Sequence, residues 1–248
     1  MKIDYPRPDE IPGLKALWQE AFGDSETFLE VFFRTGFRAD RCLCVTEWGR
    51  VSAALYWFDC ELEGRKLAYI YAVATAEASR GRGLCRELME QTKKTLRDRG
   101  YAAAVLVPGD LGLFRMYEKM GYRRASGIDE RVIPAGAAPE TLHPATPEEY
   151  EARRRALLPP GGVVQDLESI RVLAISCRLY AGADYVLADA GDWFPEYLGD
   201  PERLPGFVRA LGKARVAVRL PGKTRLFAMC LPLTENAPSP QYFGLALD

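Results

Sequence analysis

An α/β (α+β) fold with a mixed sheet flanked by helices is what the order of segments predicts. Strand-like runs follow one another across two tight turns, an amphipathic helix then begins at a glycine, and a short all-apolar run comes directly after it. Consecutive runs joined by tight turns pair antiparallel, whereas a strand–helix–strand crossover is long enough to lay its strands parallel.

The first element, Asp9 to Phe22, has Pro12 near a helix start and Ile11, Leu14, Leu17, Trp18 and Phe22 at helical spacing. Asp24 or Ser25 then caps a second helix whose Phe28, Leu29, Val31, Phe32 and Phe33 form a strongly apolar face, either core or a wall of a substrate cleft. Strand-like runs follow at Arg41 to Glu47, Val51 to Glu61 and Lys66 to Thr75, with turns at Trp48-Gly49-Arg50 and Glu63-Gly64. A polar loop, Ala76 to Arg82, leads into a helix from Gly83 to about Arg99 with Cys85, Leu88, Met89, Thr92 and Leu96 on its inner face, closed by Gly100. Tyr101 to Val107 suits a strand buried on both faces, Pro108-Gly109 breaks it, Leu111 to Met120 is helical, and Tyr122 to Ala125 starts another strand.

The segment 133–147 is dense in Pro, Ala and Gly and lacks a periodic apolar face, so the sequence divides into a first domain at 1–132, a linker at 133–147 and a second domain at 148–248. In the second, helices are expected at Pro147 to Leu157, Leu167 to Leu179 and Leu204 to Leu211. Strands are expected at Tyr185 to Asp189, Arg215 to Leu220, Leu226 to Leu231 and Tyr242 to Leu247.

Hydrophobic residues at 48% and charged residues at 27% are the balance of a chain that buries a core, which excludes disorder as the starting point. Lysine plus arginine (33) nearly cancels aspartate plus glutamate (34), so no global positive field draws the protein to nucleic acid or to an anionic membrane. The start MKIDYPRPDE has no apolar signal stretch, and no run of about 18 apolar residues occurs, so the expectation is a soluble, cytoplasmic protein. The six cysteines form no C-x-x-C pair and the one histidine, His143, sits beside Pro144, so free thiols and no metal site are expected.

Chemistry concentrates in one stretch. Tyr69 to Thr75 is a strand, Arg80-Gly81-Arg82-Gly83 a basic glycine loop, and Leu84-Cys85 the start of a helix. A helix N-terminus leaves about four N–H groups unpaired and carries partial positive charge, so a phosphate there is both hydrogen-bonded and stabilised electrostatically. Arg80 and Arg82 add full charges and Arg86 lies one turn on, which suits a pyrophosphate; alternatively the arginines are solvated and the glycines only turn the chain. The loop has neither the Gly-Lys-Ser/Thr of a Walker A loop nor the glycine spacing of a dinucleotide fingerprint, which argues against nucleotide hydrolysis and hydride transfer.

Arg80-Gly-Arg-Gly83-Leu-Cys85 resembles the Arg/Gln-x-x-Gly-x-Gly/Ala motif of the GNAT N-acetyltransferases, with Cys85 where the family has glycine or alanine. Phe114-Arg-Met-Tyr117-Glu-Lys-Met-Gly121-Tyr122 resembles their second signature, and the two stand in the family's order. The resemblance implies acetyl-CoA as co-substrate, lying where the strand ending near Thr75 splays from the strand Tyr101 to Val107. It implies that backbone groups over Val73, Ala74 and Thr75 meet the pantetheine arm and that N–H groups of Arg80, Gly81, Arg82, Gly83, Leu84 and Cys85 hold the pyrophosphate. An amine then attacks the thioester directly, and Tyr117 matches the tyrosine that gives a proton to the departing thiolate. On spacing alone Tyr117 reads as a core aromatic on a stripe with Leu113 and Met120. No base is singled out among His143, Glu77, Tyr69, Tyr71 and ordered water.

Phe22-Gly-Asp-Ser25 and the strand Tyr69 to Thr75 resemble an Eis-like bacterial branch, in which an active GNAT domain precedes a smaller degenerate GNAT-like half. Residues 148–248 contain no Arg-x-x-Gly-x-Gly/Ala loop, as that likeness implies, and are expected not to bind acetyl-CoA. The likeness also offers the carboxylate of Asp248 as an active-site group, and Asp192, Trp193, Phe194 and Tyr197 are either contacts to an amine or a small core. The expected partner is a small-molecule amine acceptor, with no nucleic acid and no membrane: Arg80, Arg82, Arg86, Lys93, Lys94, Arg97 and Arg99 scatter around a helix and are interrupted by Glu87, Glu90 and Asp98. A rival reading keeps the acyl-CoA site but not the chemistry, as an inactive acyl-CoA-binding sensor.

Overall fold

A computed structural model describes residues 1–247; Asp248 lies outside the described residues, and with it the expectation for its carboxylate. The chain packs as two compact units, the first made of Met1–Cys60, Gly64–Arg123 and Cys230–Pro238 and the second of Glu61–Glu63, Arg124–Met229 and the C-terminal segment from Ser239.

The first unit contains strands β1 (Lys2–Asp4), β2 (Cys42–Glu47), β3 (Arg50–Leu62), β4 (Arg65–Thr75) and β5 (Ala103–Leu106), and helices α1 (Ile11–Phe22), α2 (Glu26–Thr35), α3 (Leu84–Asp98) and α4 (Leu111–Glu118). Helix α1 carries a proline in its first turn, buries Leu14, Leu17 and Trp18, and stops at Gly23 with φ 74. Ser25 caps α2 by accepting from the Phe28 N–H at 3.2 Å. Asp110 does the same for α4 through the Leu113 N–H at 2.9 Å. Helix α3 buries Leu84, Leu88, Met89, Thr92 and Leu96, spaced three and four residues apart, against the sheet.

These strands lie in the order β1-β2-β3-β4-β5. β1 to β2 and β2 to β3 are antiparallel, while β4 and β5 are parallel, so the sheet is mixed as expected. The β4–β5 register covers only Leu67↔Ala103, Ala68↔Ala104 and Tyr69↔Val105, so the two strands part beyond Tyr69. Just past that point Ala72 has φ 47, a left-handed conformation that costs a residue with a Cβ about 1–2 kcal/mol. Such a kink re-aims the strand after it, here Val73 to Thr75. On the far side of β5, Leu233 and Thr234 donate their N–H groups to the Ala102 carbonyl at 2.9 and 3.3 Å.

The second unit contains β6 (Arg123–Pro134), α5 (Pro147–Leu157), β7 (Val164–Gln165), α6 (Leu167–Ser176), β8 (Arg178–Ala181), β9 (Val186–Asp189), β10 (Trp193–Phe194), β11 (Glu196–Leu198), α7 (Leu204–Ala210), β12 (Arg215–Gly222) and β13 (Arg225–Pro232). β6 pairs antiparallel with β12 from Gly127↔Gly222 to Pro134↔Arg215, and β10 joins β12 in parallel. β11, β9 and β8 form a separate antiparallel sheet. Its core gathers Tyr185, Leu187, Phe194, Tyr197, Phe207, Val216 and Val218.

Four elements differ from the sequence reading. The strand expected to start over Tyr122 to Ala125 is β6 and runs from Arg123 through Pro134, into the segment read as linker, with Ser126 and Ile128 buried along it. Part of 133–147 is therefore strand, and the rest is held by backbone bonds from Ala145 N–H to Leu179 and from Ala181 N–H to His143. The helix expected through Leu179 ends at Ser176, and Arg178–Ala181 turns into β8, whose partner β9 outweighs the local helical pattern. The apolar tail Tyr242 to Leu247 forms no strand; it is extended, with one bridge between Gly162 and Tyr242.

Buried charge anchors that tail. Glu196, fully buried, accepts from Arg154 at 2.7 and 3.0 Å and from the Tyr150 and Tyr242 hydroxyls at 3.1 Å each. Four donors satisfy the carboxylate, which is what a buried ion needs. The guanidinium of Arg154 also donates to the Val163 carbonyl at 3.2 Å, and Gln165 holds the Leu245 carbonyl at 3.0 Å.

Candidate active site

A cleft of about 380 Å³ opens in the first unit beside the stretch of β4 that lies beyond its pairing with β5. Val73, Ala74 and Thr75 line it from β4, Arg80, Gly81, Gly83, Leu84 and Cys85 from the loop and first turn of α3, and Tyr117 from α4. Nine of the ten residues singled out by the sequence therefore share one cavity wall, although 44 positions separate Val73 from Tyr117 along the chain.

The glycine loop is built to present backbone. Gly81 and Gly83 have φ 76 and 84, the left-handed region that glycine enters without strain, and no heavy atom lies within 4 Å of a Cβ at either position. Gly83 is also the N-cap of α3, and no side chain caps the helix there. The first-turn N–H groups thus face the cleft with the positive end of the helix dipole behind them, a cradle suited to an anion. Arg80 is exposed and brings the one full charge to the lining, and its Nε donates to the Thr75 carbonyl at 3.3 Å, tying the loop to the end of β4.

Two loop expectations change. The N–H of Arg80 is spent inside a helical turn on the Glu77 carbonyl at 3.2 Å, so it is not among the groups facing the cleft. Arg82 does not line the cavity: its guanidinium forms a bidentate pair with Glu47 at 2.7 and 3.0 Å, joining the loop to the β2–β3 hairpin. Arg82 holds the Glu47 carboxyl below the usual carboxylate range, and Glu47 in turn raises the arginine.

Tyr117 is buried, 6% exposed, and packs edge-on against Tyr122 with ring centroids 5.6 Å apart. Burial, reinforced by the nearby Cys85 thiol, pushes its pKa well above the ordinary tyrosine value, so the phenol remains protonated through neutral pH. Burial likewise raises the Cys85 thiol, which leaves it a neutral, compact wall. A protonated phenol beside an apolar wall is able to donate a proton to an anion forming there.

Ala21, Phe22, Ser79, Leu113 and Met116 complete the lining and were not singled out by sequence. Apolar residues at helix ends carry no chemical signature; only the stripe that Leu113 shares with Tyr117 on α4 hinted at a shared face. The candidate bases lie elsewhere: Glu77 is exposed and outside the lining, and its N–H bonds Glu20 at 2.6 Å. Tyr69 is buried, and Tyr71 packs edge-on against Trp18 with centroids 5.6 Å apart. In the second unit Phe194 and Tyr197 are fully buried core residues, which settles their alternative on the side of packing.

Three basic groups on or just after α3 are engaged within the chain: Lys93 with Glu90 at 3.6 Å, Arg97 with the Leu233 carbonyl at 3.2 Å and Arg99 with Asp40 at 3.1 Å. All six cysteines are free thiols, and no helix among the described residues is long and apolar enough to cross a membrane.

Comparison with known proteins agrees with this geometry. The family described as "Acetyltransferase (GNAT) domain" matches residues 2–125. An uncharacterised N-acetyltransferase of Escherichia coli, YhbS, is 30% identical over 135 residues, covering 53% of this chain and 78% of its own. Among solved structures, a GCN5-related N-acetyltransferase of Anabaena variabilis superposes with a TM-score of 0.71 at 15% identity, covering 94% of this chain and 73% of its own. Eis1 of Mycobacterium abscessus gives 0.70 at 14% identity, with 94% and 74% coverage, so the shared fold extends through the second half. From the family match over the unit that holds the glycine loop, the parted strands and Tyr117, the chain belongs to the GNAT acetyltransferase family and is an acyltransferase.

Proposed function

We propose that the protein transfers the acetyl group of acetyl-CoA to the primary amine of a small molecule by direct attack within a ternary complex. One observation carries this reading: an uncapped, glycine-led helix N-terminus and a buried protonated phenol converge on a single cleft. The pyrophosphate would sit at the start of α3 on the N–H groups of Gly81 to Cys85, with Arg80 beside it. The acyl arm would run along Val73 to Thr75 toward Tyr117.

Fixing donor and acceptor side by side supplies much of the rate, since it removes the entropy of bringing them together. The amine nitrogen attacks the thioester carbon, forming the C–N bond. Collapse of the tetrahedral adduct breaks the C–S bond, and the sulfur leaves as it takes the phenolic proton of Tyr117. The surplus proton on nitrogen passes to water, and the phenolate regains its own from solvent. General-acid assistance of this kind contributes about 10²–10⁴-fold.

In this proposal residues 1–132 carry the chemistry, 133–147 connect, and 148–248 take no part in cofactor binding, because they contain no basic glycine loop. Calorimetric titration with acetyl-CoA, paired with thiol release in the presence of amines, tests the reading. Saturable binding with amine-dependent release supports it. Binding without release under any amine would favour the inactive sensor instead, and absence of binding would remove both.

A further inference from the structure

A cluster of aromatic rings in the first unit runs from the buried core out to its edge. Trp18 is the hub: Phe32 lies 4.5 Å from it, Phe22 and Tyr71 5.6 Å each, and Phe28 6.3 Å, centroid to centroid. Trp18 and Phe32 are buried, but Phe28, Phe33 and Tyr71 are only half-buried and Phe22 is 46% exposed. The cluster meets the cleft at Phe22, which contacts Trp18 and also lines the cavity. Half-open rings in contact with one another form a surface that a flat apolar body covers with gain, by area removed from water and by offset or edge stacking.

No carboxylate among the described residues lines the cleft, so nothing there gathers a polycation. Arg80 is the one charged group among the described residues that line the cleft. Two nearby carboxylates already hold donors, Asp24 the Trp18 indole N–H at 2.8 Å and Glu20 the Glu77 N–H at 2.6 Å, while Glu26 and Glu30 on α2 are exposed. The ammonium of Lys15 already stands over the Phe33 ring, 5.4 Å from its centroid, so a second cation there would meet like charge.

From these rings and charges we infer that the acceptor is an aromatic monoamine, its ring seated on the Trp18-centred face and its amine reaching past Phe22 and Tyr71 to the thioester. The inference rests on the proposed transfer reaction. It also gives α2 a task beyond packing, since Phe28 and Phe33 would select the acceptor.

The test uses the full chain saturated with acetyl-CoA and compares phenethylamine and tryptamine with butylamine, spermidine and kanamycin, reading free CoA and the acetylated amine by mass spectrometry. Aromatic monoamines should exceed the others by at least about tenfold in kcat/KM, the factor that about 1.4 kcal/mol of ring burial provides. Phe28→Leu and Phe33→Leu should erase that preference by raising the aromatic KM, while acetyl-CoA affinity and the melting temperature, measured on the same samples, report that the fold is intact. Polyamine turnover equal to or better than aromatic turnover overturns the inference and leaves acetyl transfer standing. So does an aromatic preference that survives both substitutions in folded protein. Acetyl-CoA binding with no amine acetylated overturns acetyl transfer itself, and this inference with it.

Discussion

Replacing Gly83 by alanine separates strain from ligand loss. At φ 84 a residue with a Cβ pays about 1–2 kcal/mol in backbone strain. No heavy atom lies within 4 Å of the added methyl, so no steric cost within the protein is added. The expected fall in melting temperature is therefore about 2–8 °C, scaling that strain for a chain of this size. The methyl would, however, stand where a phosphate must approach the first-turn N–H groups of α3, and acetyl-CoA affinity should drop at least about tenfold, or about 1.4 kcal/mol. Gly64→Ala is the matched control: φ is 69, its surroundings are equally open, and it sits in the β3–β4 hairpin turn. Differential scanning calorimetry and isothermal titration on both variants decide the matter. Similar melting shifts with an affinity loss only in Gly83→Ala support the cradle; unchanged affinity in Gly83→Ala refutes it.

Tyr117→Phe keeps the ring against Tyr122 and removes only the hydroxyl, so kcat should fall about 10²–10³-fold with acetyl-CoA affinity nearly unchanged, checked by steady-state kinetics and titration. Because burial raises this phenol above its ordinary pKa, the proton-bearing form persists below that ordinary value and is lost only as pH rises through the higher folded one; the wild-type kcat should show no alkaline limb from Tyr117 below about pH 10. Glu47→Gln removes a negative charge near the loop, and simple Coulomb attraction would then tighten an anionic ligand. If the Arg82 pair positions the loop, the acetyl-CoA Kd instead rises about twofold to fivefold, and tighter binding would show that positioning is not its role. Arg154→Ala leaves Glu196 as an uncompensated buried carboxylate and should cost about 3–5 kcal/mol by urea denaturation, much of which the double change Arg154→Met with Glu196→Leu should restore.

What was legible in the sequence was chemistry with punctuation. Arg80 to Gly83 stands between an aromatic-rich strand and an amphipathic helix, so the loop followed from local pattern, while its place beside a cofactor cleft came from the family resemblance. Tyr117 required the surrounding signature, since its spacing fits a core stripe equally well and the structure shows it both buried and lining the cavity. The pairing of Arg82 with Glu47 was not legible, because 35 positions separate them and nothing local marks either as a partner. Phe22 read as part of a buried helix face and Phe28 as either core or cleft wall, because apolar spacing reports a face, not whether that face is closed. Glu196 sits among apolar residues with its four donors scattered from Tyr150 to Tyr242, and the tail from Tyr242 looked like a strand because it is apolar, although backbone and side-chain anchors hold it extended.

The transfer itself is tested most directly by incubating the protein with acetyl-CoA and a primary amine and quantifying both products by mass spectrometry over the same time course. Free CoA and N-acetylated amine appearing in equal amounts, both suppressed in Tyr117→Phe, is the result predicted. Free CoA without acetylated amine, or equal rates in wild type and Tyr117→Phe, would contradict it.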